Sequence, residues 1–68
     1  MSKYYVNETA QNNGDHEVHK EGCYWLGKIS RKKYLGTYLA CYLAVVEAKK
    51  YYSRSNGCKT CSNECHTS

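Results

Sequence analysis

Lys3 to Val6 is rich in residues that suit an extended, half-buried backbone and predicts a short strand. Residues 7–15 are polar and end in Asn13-Gly14, a dipeptide that favours tight turns. His16-Glu17-Val18-His19 then alternates like a strand running back, so this stretch predicts a hairpin. Lys20 to Ile29 loses the alternation and predicts a loop carrying Cys23, Trp25 and Leu26, with one helical turn in it. Arg31 to Leu35 predicts a third strand, closed by Gly36.

From Thr37 to Tyr52 the period changes. Tyr38, Cys41, Val45, Ala48 and Tyr52 recur at helical spacing and mark the face that lies on the sheet. Thr37 suits the N-cap, Lys49 and Lys50 suit the negative end of the helix dipole, and Asn56-Gly57 stops the helix. Residues 58–68 are a tail dense in Cys and His. The order β-β-loop-β-α-tail predicts an α+β domain: a small three-stranded antiparallel sheet, one helix packed on it, and a Cys/His-rich C-terminal tail. A second apolar line, Leu39, Leu43 and Val46, lies well round the helix from the first. It predicts either an interaction surface, with a homodimer as the simplest use, or a face covered within one chain by the Trp25-Leu26 loop or the tail.

Size changes how that pattern must be stabilised. Sixty-eight residues make one domain, 1–68, and bury little apolar surface. With no Phe, no Pro, one Trp and eight Tyr, much of the core has to be Tyr rings with their hydroxyls at its wet edge. Domains of this size often lean on disulfides, a metal ion or a second subunit, and five Cys with three His supply the staples. No apolar run reaches signal-peptide or membrane-span length, so the expectation is a cytoplasmic protein whose thiols stay reduced. Disulfides alone would also leave one cysteine over. Both points favour metal.

Two clusters carry the candidate chemistry. His19 and Cys23 have three residues between them, and Gly57-Cys58-Lys-Thr-Cys61 is followed by Cys65-His66. Zinc takes four ligands in a tetrahedron, and Cys-x₂-Cys lets two thiolates of one turn share one ion. The leading assignment is zinc held by His19, Cys23, Cys58 and Cys61, with Cys65 and His66 as alternative ligands. Competing readings are a disulfide-bonded or free-thiol domain, and a Cys58–Cys61 redox pair. Redox pairs usually open a helix, where the dipole lowers a thiol pKa, and this one follows a helix. Cys41, on the core stripe, reads as a small buried hydrophobe, or as a disulfide partner of Cys23 under oxidising conditions. His16 reads as a surface histidine.

The strand Tyr4-Tyr5-Val6-Asn7, His19-x₃-Cys23, a third strand, a helix with Ala44 and Ala48, and Gly57-Cys58-x₂-Cys61 resemble the Ada-type zinc-binding module in ligand spacing and element order. Nearly the whole chain resembles small, stand-alone, uncharacterised bacterial proteins with Gly-Asp-His-Glu-Val-His, a Leu-Gly after a strand, and a closing Gly-Cys-x₂-Cys-x₃-Cys-His. Here these are Gly14 to His19, Leu35-Gly36 and Gly57 to His66. The Ada resemblance implies a zinc site built from a strand-associated pair and a Cys-x₂-Cys. In that module all ligands are cysteines and one accepts a methyl group from DNA phosphate. His19 stands at the first matching position and cannot be that thiolate, so the acceptor activity does not carry over.

For catalysis the chain offers no glycine-rich phosphate loop and no paired carboxylates, and a closed four-ligand zinc site leaves no open position for water. No enzyme is expected. Arg31, Lys32 and Lys33, with Lys49, Lys50 and Arg54 among Tyr34, Tyr51 and Tyr52, allow weak, salt-sensitive nucleic-acid binding, or simply a solvated cationic rim on a chain of formal charge +4. The reading that follows is a small zinc-stabilised binding or interaction module.

Overall fold

Strand β1 (Ser2–Asn7) lies inside a sheet, with partners on both edges, in a computed structural model that describes residues 1–66. On one side it pairs antiparallel with β2 (His16–Lys20), Tyr5 opposite His19 and Val6 opposite Val18. This is the hairpin expected from the alternation. Its polar loop closes near Asn13-Gly14, where the Gly14 N–H donates to the Gln11 carbonyl at 2.8 Å and Gly14 takes a φ of +92°.

On its other side β1 pairs antiparallel with β3 (Lys32–Tyr38). Gly36 does not close this strand; the strand runs through it. The register slips between Tyr4 and Tyr5, which face Gly36 and Tyr34, so Leu35 is the extra residue of a bulge. Gly36 sits at φ +129°, and a Cβ there would lie 3.1 Å from the Tyr38 hydroxyl. That hydroxyl donates back to the Leu35 carbonyl at 2.8 Å, tying the bulge off while Leu35 enters the core.

The sheet has four strands, not three, and is mixed. β4 (Ser55–Gly57) adds parallel to the outer edge of β2, giving the order β3-β1-β2-β4. Asn56-Gly57, expected only to stop the helix, forms most of this strand. Three residues are too few to show alternation, and two of them are polar yet buried. Each makes a local hydrogen bond: Ser55 Oγ donates to the Tyr52 carbonyl at 2.7 Å, and Asn56 Oδ1 accepts from the Gly57 N–H at 2.9 Å.

The helix is shorter than predicted at both ends, α1 covering Cys41–Ala48. Thr37 is not its cap but a β3 residue opposite Lys3, because sheet pairing takes the backbone of 37–38. Ala40 stands at the N-cap and offers no side-chain hydrogen bond. Beyond Ala48 the chain continues only as a turn, with the Tyr52 N–H donating to the Ala48 carbonyl at 2.8 Å.

Helix and sheet enclose Tyr4, Val6, Val18, Leu35, Cys41, Ala44 and Ala48, with Tyr38, Val45 and Tyr52 at the rim. The predicted stripe is right for Cys41, Val45, Ala48 and Tyr52. It omitted Ala44, which is fully buried, and Tyr38 reaches the core from β3 instead. Two alanines on the contact face let the helix lie close to the sheet. Among the described residues no helix is long and apolar enough to cross a membrane.

Cys41 is neither free nor bonded to Cys23: it forms a disulfide with Cys65, 24 residues away, which pins the expected tail against the helix. Residues 58–66 are thus folded, with a 3-10 turn at Asn63–Cys65, while the last two residues of the predicted tail lie outside the described ones. A loop of this length closed by a disulfide contributes about 3 kcal/mol in the chain-entropy description. Replacing Cys41 and Cys65 together with Ala is expected to lower the melting temperature by more than about 10 °C. An unchanged melting curve would show that the bridge does not stabilise the fold.

Candidate metal centre

β2 places His19 on the face opposite Val18, because side chains alternate along a strand. The chain then turns sharply: the Cys23 N–H donates to the Lys20 carbonyl at 3.1 Å and Gly22 adopts a φ of +85°. Cys23 is thereby folded back towards His19. A 3-10 turn, Trp25–Lys28, follows at once, and the Leu26 N–H caps the Cys23 carbonyl at 3.1 Å.

The second half of the site arrives through β4. The Cys58 N–H donates to the Val18 carbonyl at 2.9 Å, extending the parallel ladder by one bond and setting Cys58 beside His19. The turn that follows is closed by the Ser62 N–H on the Cys58 carbonyl at 2.8 Å, and it carries Cys61 back over the end of β2. There the Lys20 N–H donates to Cys61 Sγ at 3.3 Å.

The ligand atoms of His19, Cys23, Cys58 and Cys61 all lie within 4.8 Å of one another. Cys23 Sγ is 3.7 Å from His19 Nδ1 and 4.0 Å from Cys58 Sγ, and Cys61 Sγ is 3.9 Å from the same nitrogen. In a tetrahedron with ordinary zinc–sulfur and zinc–nitrogen bonds, ligand atoms stand about 3.5–3.8 Å apart. The cluster therefore needs shifts of only a few tenths of an ångström along these edges to enclose an ion of that size. Nδ1 is the nitrogen turned to the sulfurs.

Burial sets the electrostatics. His19 is 1% exposed, and its burial, only partly opposed by Glu17, holds the imidazole below its ordinary pKa and so in the neutral form a metal requires. Cys61 is pushed up to about 12, first by burial and then by the Cys23 thiol beside it. Burial also pushes Cys23 up, but hydrogen bonds from the Cys61 thiol, the Trp25 and Leu26 N–H groups and the Cys58 thiol outweigh it and hold Cys23 below its usual value. Burial thus opposes a charge on Cys61, while hydrogen bonds ease one onto Cys23. A divalent cation among the sulfurs would favour their thiolate forms.

The alternative ligands do not join this group. Cys65 is spent in the disulfide, and His66 Nδ1 donates to the Gly57 carbonyl at 3.1 Å. The odd count is resolved as one disulfide and three free thiols, Cys23, Cys58 and Cys61. His16 lies outside this group; half-buried, it stacks on Tyr52 at 4.0 Å and donates from Nδ1 to the Asn7 carbonyl at 2.9 Å.

The second helix stripe is open to solvent. Leu39, Leu43 and Val46 are 79%, 38% and 59% exposed, and Tyr42 beside them is 62% exposed. The loop expected to cover them is held elsewhere, Trp25 Nε1 donating to Thr60 Oγ1 at 3.2 Å next to the cluster. Of the basic run, Lys32 is exposed, Arg31 lies 3.9 Å from Glu8, and Lys33 sits 4.4 Å above the Tyr51 ring. Compared with known protein families, curated proteins and solved structures, the chain matches none.

Two parts of the site escaped the sequence reading. Glu17 is one: two residues before His19 on a strand, it shares that residue's face, and its Oε1 lies 3.7 Å from His19 Nε2. The other is the reason for Gly57. A Cβ there would fall 2.7 Å from both Cys65 Cβ and the Ser62 carbonyl oxygen, so the glycine is needed for close approach of the following chain rather than for a turn. Gly57→Ala should cost about 1–3 kcal/mol in a urea titration and weaken metal uptake with it. A variant as stable as the parent would mean that the 62–65 segment does not pack against β4.

Proposed function

We propose that this chain is a small zinc-stabilised binding or interaction module, in which one ion held by His19, Cys23, Cys58 and Cys61 completes a core too small to stand alone. The convergence of those four side chains, from segments 35 residues apart, carries the proposal. Zinc is favoured among cations because three thiolates and an imidazole in a tetrahedral arrangement match its preferences. Four protein ligands close the coordination sphere, so the ion's role is structural rather than catalytic. The resemblance to the Ada-type module agrees with this in ligand spacing, and His19 in place of a thiolate separates it from methyl acceptance.

Native mass spectrometry tests the reading. The expected mass is that of the chain with one disulfide and one zinc ion, and a strong chelator should remove the ion and collapse the circular-dichroism signal, because metal binding and folding are coupled. A metal-free native mass in which two of Cys23, Cys58 and Cys61 have lost their thiol protons to a second disulfide would sink it.

The exposed stripe supports a second reading, self-association through α1. Leu39, Tyr42, Leu43 and Val46 recur at three- and four-residue spacing along the outer side of the helix and its entry, and no described segment covers them. A two-fold axis would let one self-complementary patch serve both subunits. Light scattering on the parent is expected to give a dimer and Leu43→Arg a folded monomer. A parent that stays monomeric at high micromolar concentration ends this reading.

A further inference from the structure

We propose that Glu17 is the positioning residue of the metal centre: its carboxylate accepts the Nε2–H of His19 and so locks the ring with Nδ1 facing the ion. The inference rests on the metal reading above and names the residue that orients its one nitrogen ligand. His19 has two nitrogens in different surroundings. Nδ1 faces the thiols of Cys23 and Cys61, at 3.7 and 3.9 Å, while Nε2 is buried and has no hydrogen-bond partner among the described residues. A metal on Nδ1 uses the lone pair of that atom, so the neutral ring carries its proton on Nε2. Coordination therefore turns Nε2 into a buried donor, and leaving such a donor unpaired is costly.

Glu17 Oε1, 3.7 Å from Nε2, is the acceptor in reach. That separation exceeds a direct hydrogen bond by roughly half an ångström. A bridging water does not fit between the two atoms either, since bonds of about 2.8 Å to each would subtend only about 80° at its oxygen. A small rotation of the carboxylate closes the gap. It has room for this, because Glu17 and His19 line one side of a cleft of about 400 Å³ whose other walls include Trp25, Ile29 and Thr60. The strand also presents the pair correctly. Glu17 and His19 are two apart on β2, hence on one face, and β4 pairing fixes the backbone at Glu17, opposite Asn56. With the ion bound to three thiolates, the imidazole N–H is polarised by the cation and the carboxylate completes a carboxylate–histidine–metal relay, a pattern that sharpens ring orientation and ligand basicity.

The test uses the full chain, Co(II) as the optical probe and Zn(II) as competitor, on the parent, Glu17→Gln and Glu17→Ala. The parent is expected to take up one Co(II) with the absorption of a tetrahedral, thiolate-rich site. Glu17→Ala should keep the shape of that spectrum but bind about 10- to 100-fold more weakly, and Glu17→Gln, which retains an acceptor without the charge, should lie between them. Long-range proton–nitrogen NMR of the zinc form supplies a readout that a general loss of stability would not move: a slowly exchanging Nε2 proton on His19 in the parent, exchanging fast in Glu17→Ala. If the alanine variant does not fold, the glutamine variant carries both readouts. Affinities within twofold and an unchanged Nε2 proton would overturn the role of Glu17 alone. A parent that binds neither ion would overturn it together with the metal centre, and metal on Nε2 would overturn it by assigning the wrong nitrogen.

Discussion

The pairing of β4 with β2 is the interaction on which the rest of this structure depends. It matches His16 with Ser55, Glu17 with Asn56 and Val18 with Gly57, and one further bond brings Cys58 alongside His19. Parallel pairing of so short a segment is weak by itself, since three residues supply few hydrogen bonds against the entropy of closing a long connection. Two tertiary contacts reinforce it. On one side the cluster of His19, Cys23, Cys58 and Cys61 gathers the end of β2 and the turn after β4; on the other the Cys41–Cys65 disulfide ties that same turn to the helix. Residues 58–65 are held from both sides, and Gly57 is the point where they press closest on the strand.

Such reinforcement suits the size of the core. The buried apolar side chains are one tyrosine, two valines, one leucine and two alanines, besides cysteines. A helix of eight residues is well below the length of about 12–15 at which isolated helices become even marginal, so α1 depends on packing and on its anchored first residue, Cys41. The small residues that let α1 approach the sheet also limit how much surface it buries. The Cys41–Cys65 disulfide supplies part of what apolar contact does not.

The partners of the cysteines follow from where the folded chain carries them. Cys61 and Cys65 are four residues apart, yet one faces His19 and the other is bonded to Cys41 on the helix. Burial resists a charge on Cys61 and keeps His19 neutral. Four soft or borderline donors whose ligand atoms lie within 4.8 Å of one another could hold a divalent ion.

The hairpin, the third strand, the existence of the helix and the membership of the Cys/His cluster were legible from the residues themselves. Alternation along 16–19 and helical spacing from Cys41 to Tyr52 report local geometry, and His-x₃-Cys with Cys-x₂-Cys reports ligand sets that fit one ion whatever joins them. Other features depended on contacts between distant segments. Thr37 and Tyr38 suit a helix start by local preference, but pairing with Lys3 and Ser2 draws them into β3. Gly36 looks like a terminator and instead permits a bulge, because only the facing strand reveals that Leu35 is one residue too many. Ser-Asn-Gly carries no strand pattern until β2 offers an edge, and nothing local pairs Cys65 with Cys41 until the fold brings the helix beside it. The sequence by itself determined which chemical groups were present and which short stretches had a strong period. Tertiary structure decided their partners, because pairing energies between segments far apart in the chain exceed the small local preferences that a sequence displays.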